Sequence, residues 1–179
     1  MVDIKEIVSF VMSFLKLELQ KKLQDQGHGK KGSSKLIDSI DYEVKVLANF
    51  IVANMELEDY YIFVEKGVRA SRIPYQRGSG KKTSKYIDAL VKFFQRKVRL
   101  KLKDAKNAAF ATANKHKKEG MPSRSSFRFS NDGTRLKFVE TTLNKFEEQA
   151  LEILEKEIGD GYEIAFTNML NSFEQDLAA

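Results

Sequence analysis

Tyr60-Tyr61-Ile62-Phe63-Val64-Glu65-Lys66-Gly67-Val68-Arg69-Ala70-Ser71-Arg72-Ile73-Pro74 divides the chain into two kinds of sequence. An aromatic, apolar turn of helix runs into Glu65-Lys66-Gly67, and Gly67 supplies the left-handed backbone with which many helices close. A basic loop starts there. The net charge of +6 is the sum of three blocks: −2 over residues 1–66, +15 over residues 67–128 and −7 over residues 129–179. Such a pattern suits an electropositive surface for phosphate or another anion, and head-to-tail contacts between copies of one subunit.

Working back from this stretch, Glu56 to Lys66 reads as a short helix packed through Tyr60, Tyr61, Phe63 and Val64. Before it, Asp41-Tyr42-Glu43-Val44-Lys45-Val46 alternates polar and apolar, and Phe50-Ile51-Val52-Ala53 is a short β-rich run, with Leu47-Ala48-Asn49 as the turn. Two strands alone are marginal in water and need a helix on one face or strands from another subunit. That helix is predicted from Val2 to about Gln26, where Ile4, Ile7, Val8, Val11, Phe14, Leu15, Leu19 and Leu23 recur at helical steps. Phe10, Met12 and Leu17 lie off this stripe, either as part of a wide core-facing surface or as a second face for a partner. Gly27 to Ser34 is a flexible loop. Its Lys30-Lys31-Gly32-Ser33 lacks the first glycine of a phosphate-binding loop and follows a helix rather than a strand.

Working forward, the loop from Val68 to Thr83 holds Arg69, Arg72, Arg77, Lys81 and Lys82 and no acid, which makes it an anion-contacting element or a solvated connector. Ser84 is placed to cap a helix whose buried stripe is Ile87, Leu90, Val91, Phe94 and Val98. A second helix, from about Asp104 to Lys118, is rich in alanine and ends in Lys115-His116-Lys117-Lys118. Ser123 to Thr134 is a polar loop in which Phe127 and Phe129 are spaced for one face of an extended strand, with a turn at Asn131-Asp132-Gly133. Helical periodicity returns from Leu136, with Phe138, Val139, Leu143, Phe146, Ala150, Ile153 and Leu154. Gly159-Asp160-Gly161 then separates off an acidic amphipathic segment, Ile164 to Leu177.

The residue inventory excludes several chemistries. Without cysteine there is no disulfide, thiolate metal site or cysteine nucleophile. Asp3 and Glu6 flank the apolar Ile7–Leu15 stretch, and Lys16, Glu18, Lys21 and Lys22 follow it, so it is neither a signal segment nor a span of roughly 20 apolar residues. His28 sits in a Gly/Lys loop and His116 between lysines, both read as surface residues without a second histidine at metal-ligand spacing. Asp38, Asp41 and Glu43, or Asp59 and Glu65, are explained by solvation and ion pairing. The expectation is a protein that is not an enzyme and has no catalytic residue, metal or other cofactor.

The aromatic pair leading into Val64-Glu65-Lys66-Gly67, the basic loop ending in Pro74, two helices, and then Gly120-Met121-Pro122-Ser123-Arg124 and a Phe resemble the neck proteins of tailed bacteriophages, the head–tail joining and tail-completion family. The similarity runs from about Leu36 to Thr142; Ser125 and Ser126 stand where the family often has proline between the Arg and the Phe. It implies a virion protein of the neck or tail region, assembled in the host cytoplasm. Identical subunits would form a ring in contact with portal or adaptor and tail proteins, with non-specific contact to genomic DNA in the channel and none to membrane. The alternative is a basic nucleic-acid-binding protein without enzymatic activity.

The expected fold is α+β, helix-dominated, with a small antiparallel β-sheet packed against long N- and C-terminal helices. A single domain is expected over residues 1–179, made of an N-terminal helix (1–26), a family-like core (36–157) and a C-terminal helical extension (160–179). Arg69, Arg72, Arg77, Lys81, Lys82, Arg124 and Arg128 are the expected inter-subunit or DNA-channel contacts, on loops that order against a neighbouring ring. Leu90, Phe94 and Phe146 are expected in the core.

Overall fold

Apolar residues at three- and four-residue steps give the first long helix, α1 (Ile4–Asp25), in a computed structural model that describes residues 4–48, 50–76, 78 and 84–158. The other elements are α2 (Lys35–Ser39), β1 (Asp41–Val46), β2 (Ile51–Glu56), α3 (Tyr61–Glu65), α4 (Lys85–Lys97), α5 (Leu102–Glu119) and α6 (Phe138–Ile158). The architecture is helix-dominated α+β with one two-stranded antiparallel sheet. Two compact units divide it: one takes in the described residues up to Glu65 and from Lys137, the other residues 66–136. No helix among the described residues is long and apolar enough to cross a membrane.

In the first unit α1 and α6 pack together and α1 also carries the sheet. The hairpin pairs Tyr42 with Met55 and Val44 with Ala53, and these four side chains join the core. A sheet too small to stand alone is thereby stabilised by one helix, as its polar–apolar alternation requires. Ile7, Val11, Leu15, Leu19 and Leu23 are buried in that core as the spacing predicts. Met12 is buried as well, so the core-facing stripe is wider than the sequence reading drew it, whereas Phe10 and Leu17 remain more than half exposed. Gln20 interrupts the stripe without penalty because its side-chain amide donates to the Ile37 carbonyl at 3.0 Å, pinning α2 to α1.

The short helix before Gly67 packs differently from expectation. Tyr60 and Phe63 are exposed, Tyr61 and Val64 are half-buried, and the most buried side chain of α3 is Glu65. Its carboxylate accepts from the Val139 N–H at 2.8 Å and the Glu140 N–H at 3.2 Å, while its own carbonyl accepts from Lys137 N–H at 2.9 Å. Glu65 therefore caps α6 from across the unit, satisfying donors that the first turn of a helix leaves open. The solvation and ion pairing expected of it do not describe it. Burial pushes its carboxyl above the usual carboxylate range, against the pull of the two backbone donors. A carboxyl raised on folding contributes most to stability below its unfolded value and loses that contribution as pH rises through the folded one. At neutral pH, where that contribution is lost, the cap itself remains: Glu65→Ala strips both N–H groups of their acceptor and is expected to cost about 2 kcal/mol. Glu65→Gln keeps one acceptor oxygen, enough for one of the two N–H groups, and should cost less than the alanine; denaturant midpoints of the two variants check this.

Candidate anion-contacting surface

The second unit concentrates the charge. Residues 66–136 carry 20 basic and 4 acidic side chains, net +16, whereas the remainder of the chain carries 11 and 21, net −10. The structural boundary thus falls within a residue of the Glu65-Lys66-Gly67 boundary read from sequence at one end, and near Leu136 at the other.

The frame of this unit is the α4–α5 pair. Ser84 caps α4, its hydroxyl accepting from the Ile87 N–H at 3.3 Å. Ala105, Ala109 and Ala113 are fully buried on α5 against Ile87 and Val91, so the small side chains let α4 come close. Leu90 and Phe94 are only partly buried beside them, and Val98 is exposed.

Both basic loops are anchored to this frame. After Gly67 the chain makes a 3-10 turn, Ala70–Arg72, that packs on α5, and buried Ile73 offers its carbonyl to Lys117 Nζ at 3.1 Å. After Gly120, residues Arg124–Phe129 form a 3-10 helix instead of the extended strand that Phe127 and Phe129 suggested. Ser126 N–H and hydroxyl both turn back to the Ser123 carbonyl, and Arg135 Nη1 donates to the Ser126 carbonyl at 3.4 Å. Local backbone satisfaction by serine defeats the two-residue alternation.

The two loops meet at their bases. Val68 and Met121 exchange hydrogen bonds in both directions, at 2.7 and 2.8 Å, as an isolated antiparallel bridge. Gly67 and Gly120 flank that bridge with φ of +73° and +83°. A Cβ on Gly67 would stand 2.5 Å from the Met121 carbonyl oxygen, and one on Gly120 would stand 2.6 Å from that of Val68. Glycine is required at both positions by backbone direction and by the space.

Of the expected contact residues, Arg69 lies next to the bridge and Arg124 three residues beyond it, and both are exposed, as are Arg72 and Arg128. The Arg124 N–H donates to the Glu119 carboxylate at 2.9 Å, and the Arg128 guanidinium lies over the exposed Phe129 ring at 4.8 Å. Arg77, Lys81 and Lys82 lie outside the described residues, as does the expected C-terminal extension from residue 160. The bridge brings together two loops that lie far apart in sequence. Sequence gave no signal of the pairing itself, because a single two-residue bridge has no periodicity.

His116 is not the surface residue its lysine neighbours suggested. It is half-buried and its Nδ1 shares a hydrogen bond of 2.6 Å with the Tyr86 hydroxyl. Burial lowers its pKa below 6.5, opposed by Glu119 and helped by Lys115, and burial raises that of the Tyr86 phenol. Because the unfolded chain then binds the proton more readily, stability from this group is full above pH 6.5 and is lost as pH falls through the depressed folded value. Wild type is therefore expected to lose more of its unfolding free energy between neutral pH and pH ~5 than His116→Gln, which has no imidazole to protonate. Thermal melts across that range read the difference.

Among the described residues no group of three or more His, Asp or Glu side chains is placed to hold a metal ion. No protein family, curated protein or solved structure matches this chain in comparisons with each.

Proposed function

We propose that this protein is a structural subunit of the tailed-phage neck, a head–tail connector or tail-completion ring surrounding the DNA channel. The observation that carries the reading is the bridge: Gly67 and Gly120, which belong to two of the motifs that carry the resemblance, flank the Val68–Met121 pair. In this reading the two glycines and the Val68–Met121 bridge build a platform, and Arg69, Arg72, Arg124 and Arg128 project from it toward a neighbouring ring or toward DNA. The opposite charges of the two units favour contacts between different surfaces of identical subunits, which generate rings when the rotation closes.

Charge reversal at Arg69, Arg72 and Arg77 together is the direct test. The isolated protein should melt within about a degree of wild type, since exposed positions such as Arg69 and Arg72 contribute little to stability. Assembled particles seen by microscopy should then lack joined heads and tails. Normal assembly by the variant, or absence of the protein from virions, overturns the reading. The second reading, a basic nucleic-acid-binding protein without enzymatic activity, draws on the +16 unit. A channel subunit should bind duplex DNA weakly and without sequence preference, with affinity falling steeply in salt. A footprint at one sequence, abolished by single base changes, favours the second reading instead.

A further inference from the structure

The strongest charge in the second unit is not on the bridged loops. Residues 96–103, Arg-Lys-Val-Arg-Leu-Lys-Leu-Lys, end α4, turn, and start α5 with five cations and no acid. All five cations are exposed, and so are Val98 (49%), Leu102 (52%) and, one helical turn earlier, Phe93 (52%). The turn is fixed in shape: Arg99 takes a positive φ of 60°, and the Leu100 N–H donates to the Phe94 carbonyl at 3.1 Å while the Leu100 side chain packs inward. A rigid end that shows apolar side chains within a collar of cations has more to bury than a phosphate backbone can cover. A protein surface that is acidic and partly apolar matches it better.

Such a surface exists on this same chain. The solvent side of α6 carries exposed Glu147, Glu148 and Glu152 beside an exposed cation, Lys145, and half-buried Leu151, packed on the core, lies at its edge. We infer that the α4–α5 turn of one copy seats on the Glu147–Glu152 face of α6 in a second copy. The contact is heterologous, tip to helix face, so each copy offers one of each and a chain of copies can grow or close. It specifies the partner surface for the ring-subunit reading above and presupposes it.

Two triple variants test the contact, Arg96→Glu/Lys97→Glu/Lys103→Glu on the tip and Glu147→Lys/Glu148→Lys/Glu152→Lys on α6. Every substituted side chain is exposed, and circular dichroism should show both variants folded; if either unfolds, the corresponding glutamine substitutions replace it. Wild type should associate in low salt by sedimentation velocity and dissociate in high salt. Each variant alone should associate about a hundredfold more weakly, from loss of three exposed ion pairs and gain of repulsion. An equimolar mixture of the two should recover association, because the reversed tip of one then faces the reversed helix of the other. A monomeric wild type at all salt concentrations, a variant that associates normally alone, or a mixture that stays dissociated each overturns the contact. So does a tip variant whose only loss is binding to duplex DNA or to anionic vesicles. The neck reading fails separately, on absence of the protein from virions.

Discussion

Phe146→Ala is expected to lower the unfolding free energy by about 3–5 kcal/mol, the usual cost of emptying a fully enclosed aromatic site. Phe146 is 1% exposed and its ring lies 5.8 Å from that of Phe14, at the seam of α1 and α6. The whole stability of such a domain is about 5–15 kcal/mol, so the variant should be largely unfolded by mild denaturant, as fluorescence or circular dichroism titration would record. Leu90→Ala should behave otherwise. Leu90 and Phe94 sit at the partly exposed margin of the α4–α5 cluster, and truncation there removes less buried area and leaves no closed cavity, costing about 1–2 kcal/mol. The sequence places all three residues on buried stripes with equal weight. A loss at Leu90 as large as that at Phe146 would show that the α4–α5 margin is covered by something else in solution.

Periodicity carries that far and no further. It locates α1, β1, α4, α5 and α6 to within a few residues, because each is long enough, or alternates strictly enough, to repeat its pattern. It misses α2, whose five residues offer barely one turn. It also places β2 early: the strand runs Ile51–Glu56, held by pairing to β1 rather than by its own apolar run. Depth is harder than direction. Tyr60 and Phe63 look like packing residues by type yet face solvent, while Glu65 is buried because the open N–H groups of α6 need an acceptor there. Of the basic site, the charge was legible as composition, and Gly67 and Gly120 as helix terminators. What no local pattern conveys is that the two glycines close on one bridge, since the partners are far apart in sequence and meet only through the tertiary fold.

That bridge makes a prediction with a built-in control. Gly67→Ala and Gly120→Ala each place a Cβ within 2.6 Å of a backbone carbonyl oxygen that is itself one half of the Val68–Met121 pair. The left-handed backbone alone costs an L-residue about 1–2 kcal/mol. Moving the carbonyl aside adds up to two backbone hydrogen bonds, about 0.5–1.5 kcal/mol each. The expected total is roughly 2–5 kcal/mol for either glycine. Gly133 has a similar φ of +72° but no atom within 4 Å of its would-be Cβ, so Gly133→Ala should show the backbone term and nothing more. Hydrogen exchange adds a local reading: the Val68 and Met121 amides should be protected in wild type and in Gly133→Ala, and should exchange freely in the other two. Should Gly120→Ala cost no more than Gly133→Ala, the bridge is not what holds the loops together, and the platform assigned to Arg69 and Arg124 goes with it.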